Sequence, residues 1–328
     1  MQTLTYRNEI ARINAALTFN PALTCLALAD DVEAMVGARQ IEDGLDALFD
    51  GLLGARENMS REDWLALARF LRSEHPVIAA LFQDPLTKRA LEKPRGYAGD
   101  AVMMDYVYGI HPDEANRQAS ELGRAICRYI QSRPAGQSVR FRREHLAGLI
   151  DQLAGEKERP SVLAIASGHL REAELSHALA AGQIGRFVAL DADADSLREV
   201  EKQYSRLGVE TVHGSVRHIL ARKVNLGTFD FVYAAGLFDY LNDAVAQALT
   251  ARMFEMTRPG GQVLIPNFAP KVKDRAYMET FMDWDLIYRD RDDMARLTEG
   301  IEAEQIQSCE IYSDPGNSVV YLLVRKKA

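Results

Sequence analysis

Along the first 136 residues, apolar positions recur at helical spacing and strand-like runs are nearly absent. Ser60 followed by Asp63 is a pattern typical of a helix N-terminus. We therefore predict an all-helical N-terminal domain over residues 1–136. Predicted helical segments include 41–52, 64–71, 122–130 and 141–153, with a loop at 132–136.

After Pro160, short apolar runs alternate with helical segments, which predicts a parallel sheet with right-handed crossovers. The last two runs flank a turn at 313–317 and predict an antiparallel hairpin. For residues 137–328 we expect an α/β, doubly wound, mostly parallel seven-stranded Rossmann-like sheet with an antiparallel C-terminal hairpin. The predicted strands are 162–165, 187–190, 210–213, 231–234, 262–266, 306–312 and 318–325, and the predicted helices are 170–181, 194–207, 216–222 and 243–257.

The composition is that of an ordinary globular protein. The 328 residues are 47% hydrophobic and 26% charged, with a net charge of −8, which argues against disorder and nonspecific nucleic-acid binding. Cys25, Cys127 and Cys309 lack metal-binding spacing, and free thiols indicate a reducing compartment. We see no signal peptide and no membrane-spanning run. We therefore expect a cytoplasmic protein with no metal, nucleic-acid or membrane partner.

The most informative segment joins the first two predicted strands. The first strand breaks at Ser167 and Gly168, and the second ends directly in Asp191. In nucleotide-binding sheets, a small-residue turn lets the ligand approach the backbone, and a carboxylate after the second strand accepts hydrogen bonds from ribose hydroxyls. Asp191 could instead cap the next helix, a role equally open to Asp193 or Asp195.

This turn is not a dinucleotide fingerprint, because Gly168 stands alone and His169 and Glu172 occupy the positions of further glycines. A glutamate there would repel a pyrophosphate. It suits a positively charged ligand, such as the sulfonium and amine of S-adenosylmethionine. We expect His169 to be a solvated loop residue rather than a catalytic base.

Further candidate residues follow the fourth and fifth strands, at the edge where doubly wound sheets bind ligands. Asp239 and Tyr240 come after the fourth strand, where Asp239 could otherwise cap a helix, and Asn267 ends the fifth. Tyr288 could belong to the core. Arg289 is the candidate to meet an anionic substrate.

The segment 93–100 combines two glycines with Arg95, Tyr97 and an acid. One interpretation is a turn between helices. The other is a lid or substrate contact, because a guanidinium pairs bidentately with carboxylates and a phenol can close over a ligand.

From residue 137 onward, the chain resembles class I S-adenosylmethionine-dependent methyltransferases. The resemblance rests on the loop 166–169, on Asp191, on the loop 213–216 and on Arg-Pro-Gly-Gly at 258–261. It implies S-adenosylmethionine as the cofactor, with ribose at Asp191 and adenine at 213–216. The predicted cofactor-binding residues are Arg95, Ala166, Ser167, Gly168, Glu172, Asp191, Ala192, Ser215, Val216, Ala235, Gly236 and Asp239.

Within that superfamily, the segments 93–100, 235–241 and 283–289 resemble bacterial 3-hydroxy fatty acid methyl ester biosynthesis methyltransferases, and the chain is also similar to azetidine-2-carboxylate synthases. One departure is clear. The acid that methyltransferases carry near the end of the first strand is replaced by Ala164 and Ala166, so standard methyl transfer has a rival.

Three functions are open. The first is methyl transfer to a small acceptor, such as a carboxylate oriented by Arg95 or Arg289. The second is cyclisation, in which the amine of S-adenosylmethionine attacks its own γ-carbon and releases methylthioadenosine and azetidine-2-carboxylate. The third is a noncatalytic binding module. We expect the helical domain to cover the site, which favours a small-molecule substrate, and we leave a homodimer open. The predicted catalytic residues are Tyr97, Tyr240, Asn267, Tyr288 and Arg289, with Tyr97, Tyr240 and Asn267 around the sulfonium.

Overall fold

The computed structural model describes residues 20–110 and 117–328, and the parts of the predicted N-terminal domain at 1–19 and 111–116 lie outside them. The described α-helices are α1 (Pro21–Gly37), α2 (Ile41–Asn58), α3 (Arg61–Ser73), α4 (Val77–Leu81), α5 (Pro85–Glu92), α6 (Ala101–Val107), α7 (Glu121–Ser132), α8 (Pro134–Glu156), α9 (His177–Ala180), α10 (Ala194–Tyr204), α11 (Val216–Leu220), α12 (Asp243–Glu255), α13 (Arg275–Phe281) and α14 (Arg291–Arg296). The described strands are β1 (Ser161–Ile165), β2 (Arg186–Asp191), β3 (Val209–His213), β4 (Phe229–Tyr233), β5 (Thr257–Phe268), β6 (Ile306–Ser313) and β7 (Val319–Lys326).

The chain divides into two compact units. Of the described residues, 20–99, 117–133 and 273–285 form a helical unit, and 100–110, 134–272 and 286–328 form a sheet unit. The division follows the change in hydrophobic pattern except at two segments. α6 belongs to the sheet unit although it precedes the sheet by about 60 positions, and α13 belongs to the helical unit although it follows β5.

Amphipathic helices build the helical unit. Leu45 and Leu48 of α2, which recur at helical spacing in the sequence, are fully buried. Ser60 caps α3 as predicted, because its Oγ accepts a hydrogen bond from the N–H of Asp63 at 3.1 Å.

Glu279 on α13 is the polar centre of the helical unit. Its buried carboxylate accepts hydrogen bonds from Trp64 Nε1 at 2.5 Å, from Arg56 Nε at 2.8 Å and from Arg275 Nε at 2.7 Å. Since a buried carboxylate is stable only when it is paired and hydrogen-bonded, these donors fix α13 to α2 and α3.

The sheet unit has seven strands in the order β3-β2-β1-β4-β5-β7-β6. Pairing is parallel from β3 through β5, and β7 is antiparallel to both β5 and β6. This confirms the predicted Rossmann-like sheet with an antiparallel C-terminal hairpin. The strand order reverses between β1 and β4, so the carboxyl ends of these two strands border the crevice where such sheets bind ligands.

Two local predictions are wrong. Instead of one helix over 170–181, the chain forms a 3₁₀ helix at Arg171–Glu174 and then the short α9, because Ser176 has an extended backbone and its side chain caps α9. The predicted loop at 132–136 is nearly absent. α8 already begins at Pro134, since proline fits the first turn of a helix.

Candidate functional site

The loop after β1 is a tight turn with three left-handed residues. Ala166, Gly168 and Leu170 have φ angles of 50°, 54° and 52°. Residues other than glycine are strained in this region, and such strain is concentrated at functional sites. At Gly168, an added Cβ would also lie 3.3 Å from the Cβ of Ala101. The turn therefore needs a left-handed backbone at three positions, which glycine favours at 168 but which Ala166 and Leu170 do not favour.

Asp191 ends β2 and holds this loop. Its buried carboxylate accepts hydrogen bonds from the N–H groups of Gly168 and Asp193, both at 2.8 Å. Burial raises the pKa of Asp191, and these N–H donors oppose the rise. Asp193 caps α10, so the alternative role of Asp191 as a helix cap does not apply. Each carboxylate oxygen has a further lone pair that a ligand hydroxyl can use.

His169, expected in solvent, is buried, and that expectation is wrong. Its Nδ1 lies 2.8 Å from Oδ2 of Asp105 on α6. Arg171 pairs bidentately with the same carboxylate, through Nε and Nη2 at 2.7 Å each. Burial favours a raised pKa for Asp105, but the hydrogen bonds from Arg171 and His169 lower it. α6 thus covers the loop, a long-range contact that no local pattern indicates.

Glu172 follows the loop and faces β4. Its Oε1 accepts a hydrogen bond from the Tyr233 hydroxyl at 2.5 Å, and both side chains are buried. Burial raises the pKa of Glu172 and raises that of Tyr233 well above its ordinary value. Glu172, which was predicted to meet a ligand amine, therefore already accepts a hydrogen bond from the Tyr233 hydroxyl through one of its oxygens.

Sequence reasoning missed Arg142, a buried cation on α8. A Cβ added to Gly236 would lie 3.7 Å from its Nη2 and 3.8 Å from its Nη1, so the guanidinium lies beside the loop after β4. Within the part of the chain that the structure describes, no ion pair joins Arg142 to a carboxylate, and its Nε has no hydrogen-bond partner. Burial favours a lowered pKa for Arg142, but Tyr108 and Asp239, among others, raise it.

Asp239 lies in the 3₁₀ helix Phe238–Tyr240, beside the ends of β4 and β5. Its Oδ1 accepts a hydrogen bond at 2.7 Å from the N–H of Phe268, the last residue of β5. Burial raises the pKa of Asp239 to about 6, although this N–H and two nearby arginines oppose the rise. Asn242 caps α12, so Asp239 does not have the alternative capping role.

Arg289 is buried, and its two terminal nitrogens donate to protein acceptors. Nη1 donates to Phe238 O at 2.8 Å and to Asn267 Oδ1 at 2.9 Å. Nη2 donates to Leu241 O at 2.6 Å and to Asp243 Oδ1 at 2.8 Å. Arg289 therefore fastens both ends of the turn after β4.

Asn267 belongs to the same network and is also buried. Its Nδ2 donates to Phe268 O at 3.0 Å and to Ile287 O at 2.8 Å. The structure thus brings together two residues predicted as catalytic, Asn267 and Arg289, at the end of β5. Their contact with a ligand stays a prediction.

The other predicted cofactor residues of the sheet unit follow the carboxyl ends of three strands. Ala192 follows β2 and is exposed, and Ser215 and Val216 begin α11 after β3 and are half-buried. Ala235 and Gly236 follow β4 and are half-buried and exposed, respectively. All five lie on the sheet edge that the sequence pattern selected.

Two predicted tyrosines of the sheet unit lie near its surface: Tyr240 is 38% exposed, and Tyr288 is half-buried. Tyr97 and Arg95 belong to the helical unit, in a segment of consecutive turns, where Tyr97 is 37% exposed. The arrangement of Tyr97, Tyr240 and Asn267 around a ligand sulfur stays a prediction.

A sequence signal could have found Arg142. On α8 it shares the buried stripe with Val139, Leu146 and Ile150. A charge inside an apolar stripe is costly unless a partner compensates it. Such a position therefore predicts either an internal ion pair or a ligand.

A family model described as a methyltransferase domain matches residues 162–261, from β1 into β5. No curated protein matches the chain. Among solved structures, a protein from Bordetella parapertussis, described as a possible exported protein, has 14% sequence identity and a TM-score of 0.57. The match covers 94% of this chain and 98% of that one, which shows that the two share a fold.

Two methyltransferases of known structure are also similar. NodS, an N-methyltransferase from Bradyrhizobium japonicum in complex with S-adenosylhomocysteine, is 13% identical over 58% of this chain and 88% of its own, with a TM-score of 0.42. A 1,6-didemethyltoxoflavin-N1-methyltransferase from Burkholderia thailandensis is 17% identical over 61% of this chain and 86% of its own, with a TM-score of 0.41.

The strand order, the closing hairpin and the matched domain define a class I S-adenosylmethionine-dependent methyltransferase fold. The sequence resemblance implied S-adenosylmethionine as the ligand, and the match to a methyltransferase domain agrees with that expectation. In residues 20–110 and 117–328, no helix is long and apolar enough to cross a membrane. The resemblance to one bacterial subfamily and the cytoplasmic location stay predictions.

Proposed function

We propose that this protein transfers a methyl group from S-adenosylmethionine to a small molecule. One observation carries the proposal. Along one sheet edge, the carboxylate of Asp191 follows β2, and the buried guanidinium of Arg142 lies beside the loop after β4. These two groups suit the ribose and the methionine carboxylate at opposite ends of S-adenosylmethionine.

Arg142 is the proposed receptor for the methionine carboxylate. A buried cation that forms no ion pair is unfavourable, and a guanidinium pairs with a carboxylate through two parallel hydrogen bonds. Ser167 Oγ, on the loop after β1, is another buried polar atom that has no hydrogen-bond partner in the described structure. Together they fit a ligand that carries both a carboxylate and further polar groups.

Asp191 is the proposed ribose ligand. Its two accepted N–H bonds fix the carboxylate in place, and its remaining lone pairs are acceptors for the ribose hydroxyls. Ser215 and Val216, which follow β3, are proposed to meet the adenine. This order along the edge matches the order of groups in the cofactor.

Methyl transfer is a backside displacement on the sulfonium methyl group. It depends on holding a nucleophile in line with the breaking bond and on excluding water. A carboxylate acceptor needs a cation to orient it. Because Arg289 donates to four protein acceptors, it is not proposed as the partner of such a group.

Cyclisation is a second candidate that one observation favours. In a cyclase, the methionine amine must be neutral when it attacks. Glu172, the acid predicted to hold that amine as ammonium, instead accepts the Tyr233 hydroxyl at 2.5 Å, and burial raises its pKa. Burial favours the neutral acid and so weakens its support for a positive charge, and the Tyr233 hydrogen bond occupies one of its oxygens.

The test is product analysis with methyl-labelled S-adenosylmethionine, first alone and then with a panel of small acceptors, followed by mass spectrometry. We expect S-adenosylhomocysteine and a labelled methyl product only when an acceptor is present. Methylthioadenosine and azetidine-2-carboxylate from S-adenosylmethionine alone would establish cyclisation instead. Tight binding with no product under any condition would indicate a noncatalytic module.

A further inference from the structure

Asp239 is a buried carboxylate that forms no ion pair within the described chain. Arg142 and Arg289 are close enough to lower its pKa, yet neither is paired with it. The hydrogen bond that it accepts from another described residue, the N–H of Phe268, goes to Oδ1. Oδ2 therefore keeps acceptor capacity for a further donor.

The strand order places Asp239 beyond the proposed cofactor site. Asp191 and the strained loop follow β2 and β1, whereas the carboxylate of Asp239 is bonded to the end of β5, on the other side of β4. With S-adenosylmethionine reaching from Asp191 to Arg142 beside the loop after β4, the methyl acceptor approaches from the β5 side. Asp239 lies on that side.

The turn that carries Asp239 is held at several points. Arg289 bonds the carbonyls of Phe238 and Leu241, and the Asp239 carbonyl accepts the N–H of Ile287 at 2.8 Å. A catalytic group must be held in place by its surroundings to be effective. Exposed residues flank the turn, including Tyr240 at 38% and Ile287 at 37%, so a small molecule has access to its rim.

We infer that Asp239 is the catalytic base that takes a proton from the methyl acceptor, which therefore reacts through a hydroxyl or an amine. The inference rests on the proposed methyl transfer and names its substrate class. In the step, the acceptor's O–H or N–H bond breaks and its proton moves to Asp239 Oδ2. The freed electron pair forms the new bond to carbon as the S–CH₃ bond breaks, and sulfur keeps the electron pair of the broken S–C bond, which leaves S-adenosylhomocysteine with a neutral thioether.

The charges around Asp239 agree with this role. Arg142 faces it from α8, Arg289 from the segment after α13, and the Phe268 N–H from β5. Burial outweighs these three and raises its pKa to about 6. The carboxylate is thus largely ionised at neutral pH, but it is a stronger base than an exposed aspartate.

The test compares Asp239→Asn with the wild type and with Asp195→Asn, which replaces an exposed carboxylate of the same unit. The amide oxygen at position 239 can still accept the Phe268 N–H.

The probes are a phenol, an aliphatic alcohol, a primary amine and a carboxylic acid without other exchangeable protons. We expect wild-type O- or N-methylation, about 100-fold or greater loss of kcat in Asp239→Asn, and wild-type rates in Asp195→Asn. Calorimetric affinity for S-adenosylmethionine should change less than about threefold, because a base on the acceptor side does not bind the cofactor.

A second readout is independent of turnover. Because the folded pKa of Asp239 is raised above its ordinary value of 3.8, ionisation on going through about pH 6 destabilises the fold. The Tm of the wild type should therefore fall relative to that of Asp239→Asn as the pH rises from 4 to 8. A constant difference across that range would contradict the buried, perturbed carboxylate on which the inference depends.

The kinetic outcomes separate this inference from the proposed function. Methylation of the carboxylic acid alone, or equal rates for Asp239→Asn and the wild type, would overturn the inference and leave methyl transfer standing. Absence of any O- or N-methyl product would overturn it as well. Methylthioadenosine from the wild type without an acceptor would instead overturn the proposed function itself.

Discussion

The carboxylate of Asp191 accepts a hydrogen bond from the backbone N–H of Gly168 at 2.8 Å, so the end of β2 fixes the loop after β1. Gly168 has a φ of 54°, in the left-handed region that favours glycine. One residue thus has two tasks in this account, shaping the loop and binding the ribose. The first is a contact in the structure, and the second is proposed.

Asp191→Ala should weaken S-adenosylmethionine binding by roughly 1–3 kcal/mol, because ribose hydroxyls and the Gly168 N–H lose their acceptor. The matched control is Asp193→Ala, which removes the cap of α10 and should cost about 1 kcal/mol of stability with little change in affinity. Calorimetric titration measures both. Wild-type affinity in Asp191→Ala would remove the ribose assignment.

Arg142→Met should lower the affinity for S-adenosylmethionine by about 10- to 100-fold, the loss of hydrogen bonds to a charged group. Methylthioadenosine, which has no amino-acid group, should bind as it does to the wild type. Arg143→Met is the control on the same helix, since Arg143 bonds Glu174 and the carbonyl of Arg171. Equal losses for both ligands would show that Arg142 supports the fold and not the carboxylate.

Arg289→Met should destabilise the protein by about 3 kcal/mol, because buried carbonyls of the turn after β4 and the Asn267 amide lose their donor. Asp243→Ala removes the partner that is 77% exposed and should cost less than about 1 kcal/mol. Urea denaturation compares the two. If Arg289→Met were as stable as the wild type, the guanidinium would be available for an anionic substrate.

Glu279→Gln should lower the stability of the helical unit in a pH-dependent way. Burial favours a raised pKa for Glu279, but the hydrogen bonds from Arg275 and Arg56 lower it below 4.5. The ionised carboxylate therefore stabilises the folded state fully above pH 4.5, and this contribution is lost as the pH falls through the lowered pKa.

In denaturant titrations, the difference in unfolding free energy between wild type and Glu279→Gln should be largest at neutral pH and close on acidification. Glu92→Gln, at a position 59% exposed, is the control and should show little difference at any pH. A difference that stays the same down to pH 3 would show that packing, and not the charge of Glu279, stabilises the unit.

The sequence was sufficient for the sheet and for one side of the site. Buried parallel strands appear as short apolar runs, and Asp191 directly follows such a run. The strands and the position of Asp191 could therefore be predicted from neighbouring residues in the sequence. The neighbouring positions of Asp191 and Gly168 then follow from the parallel pairing of β1 with β2.

Contacts between segments far apart in the chain could not be predicted from local sequence patterns. Arg289 looked available for a substrate, yet its acceptors come from residues 22 to 51 positions away. His169 looked solvated until α6 was seen to cover it. Arg142 was missed, because helical spacing shows which residues share a face but not which ligand compensates a buried cation.

The most direct measurement is a crystal structure of the complex with S-adenosylhomocysteine. We predict ribose hydroxyls within about 3.2 Å of Asp191 and the amino-acid carboxylate at the same distance from Arg142. The same crystal structure also gives the distances of Tyr97, Tyr240 and Asn267 from the sulfur of the bound ligand. A ligand bound more than about 8 Å from both Asp191 and Arg142, beyond hydrogen-bond reach, would contradict the proposed site.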